Sequence, residues 1–362
     1  MQAIILVGGL GTRLRPLTLT TAKPLVPLAN RPVIEHLVAW LARWGVDDIV
    51  LATQYRAADW QHWLSRWRRE RPGIAVRTVE EPEPRGTAGA VAYAAAEPRG
   101  TTVVVNGDNL VELDLDAMLR LHRSAHAVAT LSTDAVADVA GRGVVAADRH
   151  GRVRAFQEKP APDQALADTV NTGVYLLEKQ AIAAIPRDRF AQWERDVFPA
   201  LIGQGERVYA FQSRHVWIDT GTPGGYLRAQ AAVLEGHASV PAGTLEHGAW
   251  REESVTVDAA ACVDGPSALG FGTLVAAGAT VRASSVGREC HIMPGVYIRR
   301  SAVWDGCQIE AGAAVRDSIL GLGCYIGAGA RLDSVILGDR CMIAADAVLP
   351  PGARLAPETR IA

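Results

Sequence analysis

Residues 281–349 read VRASSVGRECHIMPGVYIRRSAVWDGCQIEAGAAVRDSILGLGCYIGAGARLDSVILGDRCMIAADAVL, and this stretch repeats itself every 17 positions. Val281, Ile298, Val315, Leu332 and Leu349 form one aliphatic series. Val286, Val303, Leu320 and Leu337 form a second, and Ile292, Ile309, Ile326 and Ile343 a third. In chain order the steps between them are 5, 6 and 6 residues. A three-sided coil with one inward aliphatic per side produces that spacing, which is the hexapeptide pattern of a left-handed β-helix. Val257, Val263, Leu269 and Val275 keep a step of six upstream, so about five to six coils are expected over 256–362.

Cys290, Cys307, Cys324 and Cys341 share the 17-residue period, each two positions before an inward isoleucine. They are therefore expected to point inward and stack on one another. With strands about 4.8 Å apart, a metal or redox ladder is geometrically conceivable. Small apolar residues filling a narrow interior is the simpler reading, and the one adopted.

Upstream, from residue 1 to 236, short apolar runs alternate with helical patterns, which predicts an α/β domain around a mostly parallel sheet. Ala3–Val7, Ile49–Thr53, Ile74–Val79, Thr102–Asn106, Val170–Leu177 and Val216–Asp219 read as strands, and Val144–Ala147 with Val153–Gln157 as a hairpin. Pro32 opens a helix whose apolar face is Val33, Leu37, Trp40, Leu41 and Trp44, and Gly45 stops it. Residues 237–255 are left as a linker before the β-helix. The basic run Arg66 to Arg71 is read as a solvated helix face rather than a binding patch.

Lys+Arg 37 against Asp+Glu 39 gives a formal charge of −2, which favours neither nucleic acid nor a membrane surface as partner. No apolar run approaches the roughly 20 residues that span a bilayer. A strand starting at Ala3 leaves no room for a signal peptide, so a cytoplasmic protein is expected. Only Lys23, Lys159 and Lys179 are lysines; every other basic residue is arginine. A lysine is a compact point charge that a planar guanidinium does not replace where one oxygen must be met end-on.

The first strand runs into Gly8-Gly9-Leu10-Gly11-Thr12-Arg13-Leu14-Arg15-Pro16, a turn whose amides can approach phosphate oxygens. It lacks the Gly-Lys-Ser/Thr ending of a P-loop, and Leu14 stands where a dinucleotide fingerprint has its third glycine. Ten residues after Arg13 comes Ala22-Lys23-Pro24-Leu25-Val26-Pro27. With Gly86-Thr87-Ala88-Gly89-Ala90, Asn106-Gly107-Asp108, Phe156-Gln157-Glu158-Lys159-Pro160, Asn171-Thr172-Gly173, Glu194-Arg195-Asp196-Val197-Phe198-Pro199 and Trp217-Ile218-Asp219-Thr220-Gly221, these motifs closely resemble the nucleotide-sugar pyrophosphorylases, which are sugar-1-phosphate nucleotidyltransferases. Within that family the likeness is greatest to the mannose-1-phosphate guanylyltransferases. The resemblance covers the whole α/β half in order, and a β-helical tail is a common family feature.

The resemblance implies a reaction in which an NTP and a sugar 1-phosphate give an NDP-sugar and pyrophosphate by in-line attack, with Mg²⁺. A sugar phosphate has its second pKa near about 6, so the nucleophile is already largely ionised at neutral pH. What remains is to hold two polyanions in line and neutralise them. By the resemblance, Arg13 holds the triphosphate and stabilises the leaving pyrophosphate, and Lys23 neutralises the same region. Leu6, Gly8, Gly9, Gly11, Thr12, Glu81, Gly86 and Thr87 line the nucleotide. Gly143, Glu158, Lys159 and Asn171 receive the sugar phosphate, with Lys159 on the phosphate and Glu158 on sugar hydroxyls. Asp108 and Asp219, at strand ends, take Mg²⁺ through hard carboxylate oxygens.

Guanine presents two donors side by side, which one carboxylate can accept, so Glu81 points to GTP as the nucleotide. Thr172, where the comparable guanylyltransferases often have alanine, and the basic segment Ala140-Gly141-Arg142-Gly143-Val144 depart from the family pattern at the sugar side. Mannose 1-phosphate is therefore the default acceptor, with dTTP or UTP and glucose, heptose or cyclitol 1-phosphates as alternatives of the same chemistry. A non-catalytic regulatory paralogue and a hexapeptide-repeat acyltransferase are the rivals of another class. The β-helix, with its flat faces and open end, is expected to make the chain a homo-oligomer.

Overall fold

The computed structural model describes residues 1–95, 100–187, 189–212, 216–238 and 242–362. The chain divides into two compact units. One is built from residues 1–9, 38–107 and 111–217, the other from residues 10–37, 108–110 and 218–362.

In the first unit, Gln2–Leu6 is a central strand flanked in parallel by Asp48–Thr53 and Thr102–Asn106, with Ala75–Glu80 continuing the parallel set. Ala3, Ile4 and Ile5 are all fully buried, as expected of a strand covered on both faces. Thr169–Leu177 joins this set antiparallel to Thr102–Asn106. The hairpin Gly143–Ala147/Val153–Glu158 and the strand Ala129–Ala135 both attach to Thr169–Leu177. Val208–Gln212 then pairs in parallel with Ala129–Ala135.

Helices Val33–Arg43, Ala57–Glu70, Gly86–Ala94 and Leu115–Ser124 connect successive strands. Leu115–Ser124 is started by Asp114, whose carboxylate accepts the Ala117 N–H at 2.8 Å. Arg68 and Arg69 of the basic run are exposed on the last turn of their helix, as a solvated face should be. Among the described residues no helix is long and apolar enough to cross a membrane.

In the second unit, residues 249–362 form a parallel β-helix of three stacked sheets, and Thr244–Glu246 pairs antiparallel with its first strand. Val281, Ile298, Val315 and Leu332 lie in register, as do Val286, Val303, Leu320 and Leu337, and Ile292, Ile309, Ile326 and Ile343. At both ends the register widens to 18 residues, as in Val257 with Val275 and Ile343 with Ile361. Residues 239–241 of the expected linker lie outside the described residues. Further along it, Ala249–Arg251 pairs in parallel with Ser267–Leu269 and so extends one face of the β-helix.

Two corner ladders hold the coils together. Ser267, Ser284, Ser301 and Ser318 stack at 17-residue intervals, and the hydroxyls of the last three accept the backbone N–H of Ser301, Ser318 and Val335 at 3.0, 3.2 and 3.0 Å. The four stacked cysteines are buried free thiols. Their Sγ atoms donate to the carbonyls of Trp304, Gly321, Gly338 and Ala356, each at 3.2 Å. Burial pushes the Cys307 thiol up, which keeps it protonated as a donor. The inward, space-filling reading holds. Cys262 is exposed. A thiol reagent should therefore titrate one cysteine in the native protein and all five after denaturation; rapid labelling of more than one native thiol would contradict a closed interior.

Candidate active site

The first cluster lies in the second unit and is assembled by backbone pairing. Strand Val216–Asp219 pairs with Asn109–Glu112. Just beyond it, Thr220 donates to the Asp108 carbonyl through its N–H at 3.0 Å and through Oγ1 at 2.8 Å. Asp108 and Asp219 thereby face one point, occupied by the Lys23 ammonium at 2.6 Å from Asp108 Oδ2 and 4.0 Å from Asp219 Oδ1. Arg13 Nη2 reaches Asp219 Oδ2 at 3.1 Å. The cluster is neutral as it stands, with two cations on two carboxylates.

The cations differ in freedom. The Lys23 side chain is 7% exposed and that of Arg13 61%. A buried ammonium needs its carboxylates, because an unpaired buried charge is costly. The exposed guanidinium can exchange partners at little cost, since exposed pairs contribute about 0–1 kcal/mol.

Two glycines make the closeness possible. A Cβ on Gly221 would fall 2.6 Å from Lys23 Nζ, 2.7 Å from Asp219 Oδ1 and 2.8 Å from Arg13 Nη2. Gly11 has φ +63° and would press a Cβ to 3.0 Å from the Lys23 Cβ, so both backbone and space require glycine there. Gly11 O also accepts the Thr18 hydroxyl at 2.8 Å. Behind the Lys23 segment, His36 Nε2 bonds the Leu28 carbonyl at 2.9 Å. Burial pulls the His36 pKa down to about 4, so the ring is neutral.

Apart from Thr12, which is in the second unit, the other expected residues lie in the first. Leu6 O accepts the Gly107 N–H at 2.9 Å at the strand end, and Tyr55 OH donates to Gly9 O at 2.6 Å. Glu81 is buried, and its Oε2 accepts the Arg85 N–H at 3.1 Å at the start of helix Gly86–Ala94. Burial pushes its carboxyl up, and the Arg85 N–H and guanidinium oppose this. Thr87 Oγ1 accepts the Trp193 N–H at 3.3 Å. Gly8 packs on Gln54, and Thr12 is exposed at the start of a 3₁₀ turn.

On the hairpin side, Lys159 Nζ pairs with Glu158 Oε1 at 2.9 Å, and Lys159 itself takes the left-handed φ of +50°. A Cβ on Gly143 would meet the Phe156 ring at 2.9 Å and Glu158 Oε2 at 3.4 Å. Asn171 Nδ2 donates to Tyr175 OH at 2.8 Å, and Asn171 Oδ1 accepts the Gly173 N–H at 3.1 Å.

Glu194 joins this group from the helical turn Trp193–Val197. Burial raises its pKa first; the Glu158 charge raises it further, and Lys159 and Arg195 pull it back. Its link to the Glu158–Lys159 pair was not legible in the sequence, where only the surrounding motif stood out.

The two departures noted at the sugar side have structural explanations. Thr172 is buried, and its hydroxyl pairs with that of Ser132. It therefore belongs to the interior. Arg142 stacks over the Trp217 ring at 5.5 Å, and its carbonyl accepts the Lys159 N–H at 3.1 Å. The extra basic residue is thus engaged locally.

The nucleotidyl transferase family matches residues 2–236, and the EIF2B subunit epsilon LbH domain matches residues 246–355. Mannose-1-phosphate guanylyltransferase of Mycobacterium tuberculosis is 37% identical over 283 residues, covering 78% of this chain and 76% of that protein. UTP–glucose-1-phosphate uridylyltransferase of Synechocystis sp. is 33% identical over 250 residues, covering 65% of this chain and 63% of that protein. Among solved structures, HddC from Yersinia pseudotuberculosis complexed with GMP-PN is 29% identical with a TM-score of 0.53, covering 63% of this chain and 97% of that one.

Glu194 yields a pH prediction. Its folded pKa lies above the ordinary value of 4.5, so the folded state binds the proton more tightly than the unfolded one. Its contribution to stability is lost as pH rises from 4.5 through the folded pKa. Glu194→Gln should melt above the wild type at pH 7–8, with the gap closing by pH 4.5. A pH-independent difference would refute this account of Glu194.

Proposed function

The chain belongs to the nucleotidyl transferase family as a sugar-1-phosphate nucleotidyltransferase, and from that premise we propose that it transfers a guanylyl group from GTP to mannose 1-phosphate. The observation that carries the reading is the neutral cluster of Arg13, Lys23, Asp108 and Asp219. Two carboxylates converging on one point, beside one fixed cation and one that can change partners, suit a polyphosphate and a hard divalent ion together.

In the proposed reaction an oxygen of the sugar phosphate attacks the α-phosphorus of GTP. The bond to the β-phosphate oxygen breaks, and pyrophosphate leaves with that electron pair. Arg13 exchanges Asp219 for phosphate oxygens and follows the charge onto the pyrophosphate. Lys23, held by its carboxylates, supplies a fixed positive charge. Lys159 takes the sugar phosphate and Glu158 its hydroxyls. No side chain need act as a base, because the nucleophile is already an anion near neutral pH.

Nucleotidyltransferases of this family generally use a divalent metal. The donor set here, two carboxylates and no nitrogen or sulfur, suits Mg²⁺, with phosphate oxygens and waters completing its shell. Asp108 and Asp219 would hold it, and it would supply charge neutralisation at the polyphosphate.

Guanine is supported by the name of the Mycobacterium tuberculosis relative, by the GMP-PN in the HddC structure, and by Glu81 as a carboxylate able to accept two adjacent donors. The Synechocystis relative, which is named for UTP and glucose 1-phosphate, favours a second reading with those substrates.

Pyrophosphate release with Mg²⁺, tested for each NTP against mannose, glucose and heptose 1-phosphates, is expected to be fastest with GTP and mannose 1-phosphate. Arg13→Ala should lower kcat about 10²–10³-fold. An Arg13→Ala enzyme as fast as the wild type would remove Arg13 from the chemistry. Glu81→Gln should reduce kcat/KM for GTP relative to UTP about 10–100-fold, the scale of losing hydrogen bonds to a charged group. An unchanged ratio would discard Glu81 as the base reader.

A further inference from the structure

Arg354 belongs to the strand Arg354–Leu355, which pairs in parallel with Ile336–Leu337 near the end of one β-helix face. Its Nη1 donates to the main-chain carbonyls of Arg13 at 3.2 Å and Arg15 at 3.3 Å. A residue from the far end of the chain thus binds the backbone of the residue whose side chain reaches Asp219.

The sequence explains why those carbonyls need a donor. In the turn after Gly11, the Leu14 N–H donates to Gly11 O at 3.0 Å and the Arg15 N–H to Thr12 O at 3.3 Å. The next bond in the series would run from residue 16 to Arg13 O. Residue 16 is a proline and has no N–H to give. Arg354 supplies the donor that Pro16 lacks.

The contact is one of several from the β-helix to the same loops, all within the second unit. Asn30 Nδ2 donates to Val286 O at 2.9 Å. Trp304 Nε1 donates to Tyr226 OH at 3.2 Å, and that hydroxyl donates to Pro27 O at 2.5 Å. Gln230 Nε2 donates to Ser301 O at 2.9 Å, and Gln230 Oε1 accepts the Ser285 hydroxyl at 2.6 Å. Pro27 and Asn30 follow Lys23; Tyr226 and Gln230 follow Asp219.

On this face the outward positions Ser285, Ala302, Ile319 and Ile336 are buried. On the neighbouring face the equivalent Leu274, His291, Gln308, Tyr325 and Met342 are exposed. One face of the β-helix is therefore spent on the chain's own loops.

We propose that the β-helix braces the phosphate-handling loops, and that Arg354 is a positioning residue that fixes the backbone from which Arg13 meets the departing pyrophosphate. The catalytic part of this proposal rests on the reaction given under Proposed function; the brace itself does not. Arg13 is mostly exposed and must leave Asp219 to work, so its reach to phosphate is set by where its main chain is held. Arg354 holds it at the carbonyl of the same residue.

The test uses the full chain with Arg354→Ala and Arg354→Lys. Arg354 is exposed at its rung, so both variants should melt close to the wild type. By hydrogen exchange, residues 11–19 should exchange several-fold faster in Arg354→Ala, with the β-helix core unchanged. Wild-type exchange there would overturn the brace, whatever the assays show.

In turnover with GTP, Arg354→Ala should lose about tenfold in kcat/KM, while the KM for the sugar 1-phosphate stays at the wild-type value. Arg354→Lys should recover part of the loss. In an Arg13→Ala background the same substitution should cost under about twofold, because the two act as a unit. An equal loss in both backgrounds would overturn the positioning role. Absence of turnover by the wild type with every substrate pair would instead sink the proposed reaction and with it the role in pyrophosphate departure, and the exchange experiment would still decide the brace.

Discussion

Lys23 sits between two carboxylates, 2.6 Å from Asp108 and 4.0 Å from Asp219, in a place that leaves its side chain almost without solvent. A charge so placed is tolerable only if both acids stay where they are. The Asp108 carbonyl is fixed by Thr220, the Asp219 carboxylate by the Gly221 N–H at 2.7 Å, and the space around the ammonium by the missing side chain of Gly221. The tightness of the loops in the second unit follows from this one buried cation. Replacing it by arginine would demand a planar fork where there is room for a point.

The same constraint gives the β-helix a task beyond its own stability. Loops that hold a buried ammonium against two acids tolerate little drift. The Pro16 interruption leaves a carbonyl open, and Arg354 fills it from the last coils. The β-helix is suited to this because its ladders are stiff. Serine hydroxyls and cysteine thiols repeat at the corners, so each coil is fixed to the next by side chains as well as by strands.

What could be read in advance divides along physical lines. The β-helix was legible because one aliphatic per side, repeated at 17 residues, leaves few other solutions, and the stacked cysteines followed from the same period. The central strand was legible because Ala3, Ile4 and Ile5 are apolar on both faces. Ala129–Ala135 was not. Its buried Thr130, Ser132 and Thr133 break the apolar pattern and are tolerated through partners such as His122 on Thr130 at 2.8 Å and Thr172 on Ser132. Thr172 lies 40 residues from Ser132, so no local window reveals that partner. The partner of Thr172 was hidden for the same reason: its sequence neighbours are site motifs, but its hydroxyl faces Ser132. Arg354 follows Ser285, Ala302, Ile319 and Ile336 in its column, but nothing in the repeat says which group its guanidinium meets until the turn opposite it is seen.

The division also separates chemistry from specificity. In the proposed reaction Arg13, Lys23, Asp108 and Asp219 address phosphates, which are common to every substrate pair such an enzyme could use. Their geometry is severe, so their neighbours are constrained to glycine, proline and threonine, and the motif survives as a short readable string. In the proposed reaction base and sugar fall to Glu81, Glu158 and Asn171, each of which already bonds nearby groups of the chain. Glu81 accepts the Arg85 N–H and Asn171 holds Gly173, so the residue type at these positions answers partly to the fold. Identity there constrains the substrate less than identity in the phosphate loop constrains the reaction. That is why relatives of similar identity can be named for different nucleotides and sugars while the arginine–lysine–aspartate cluster states one chemistry.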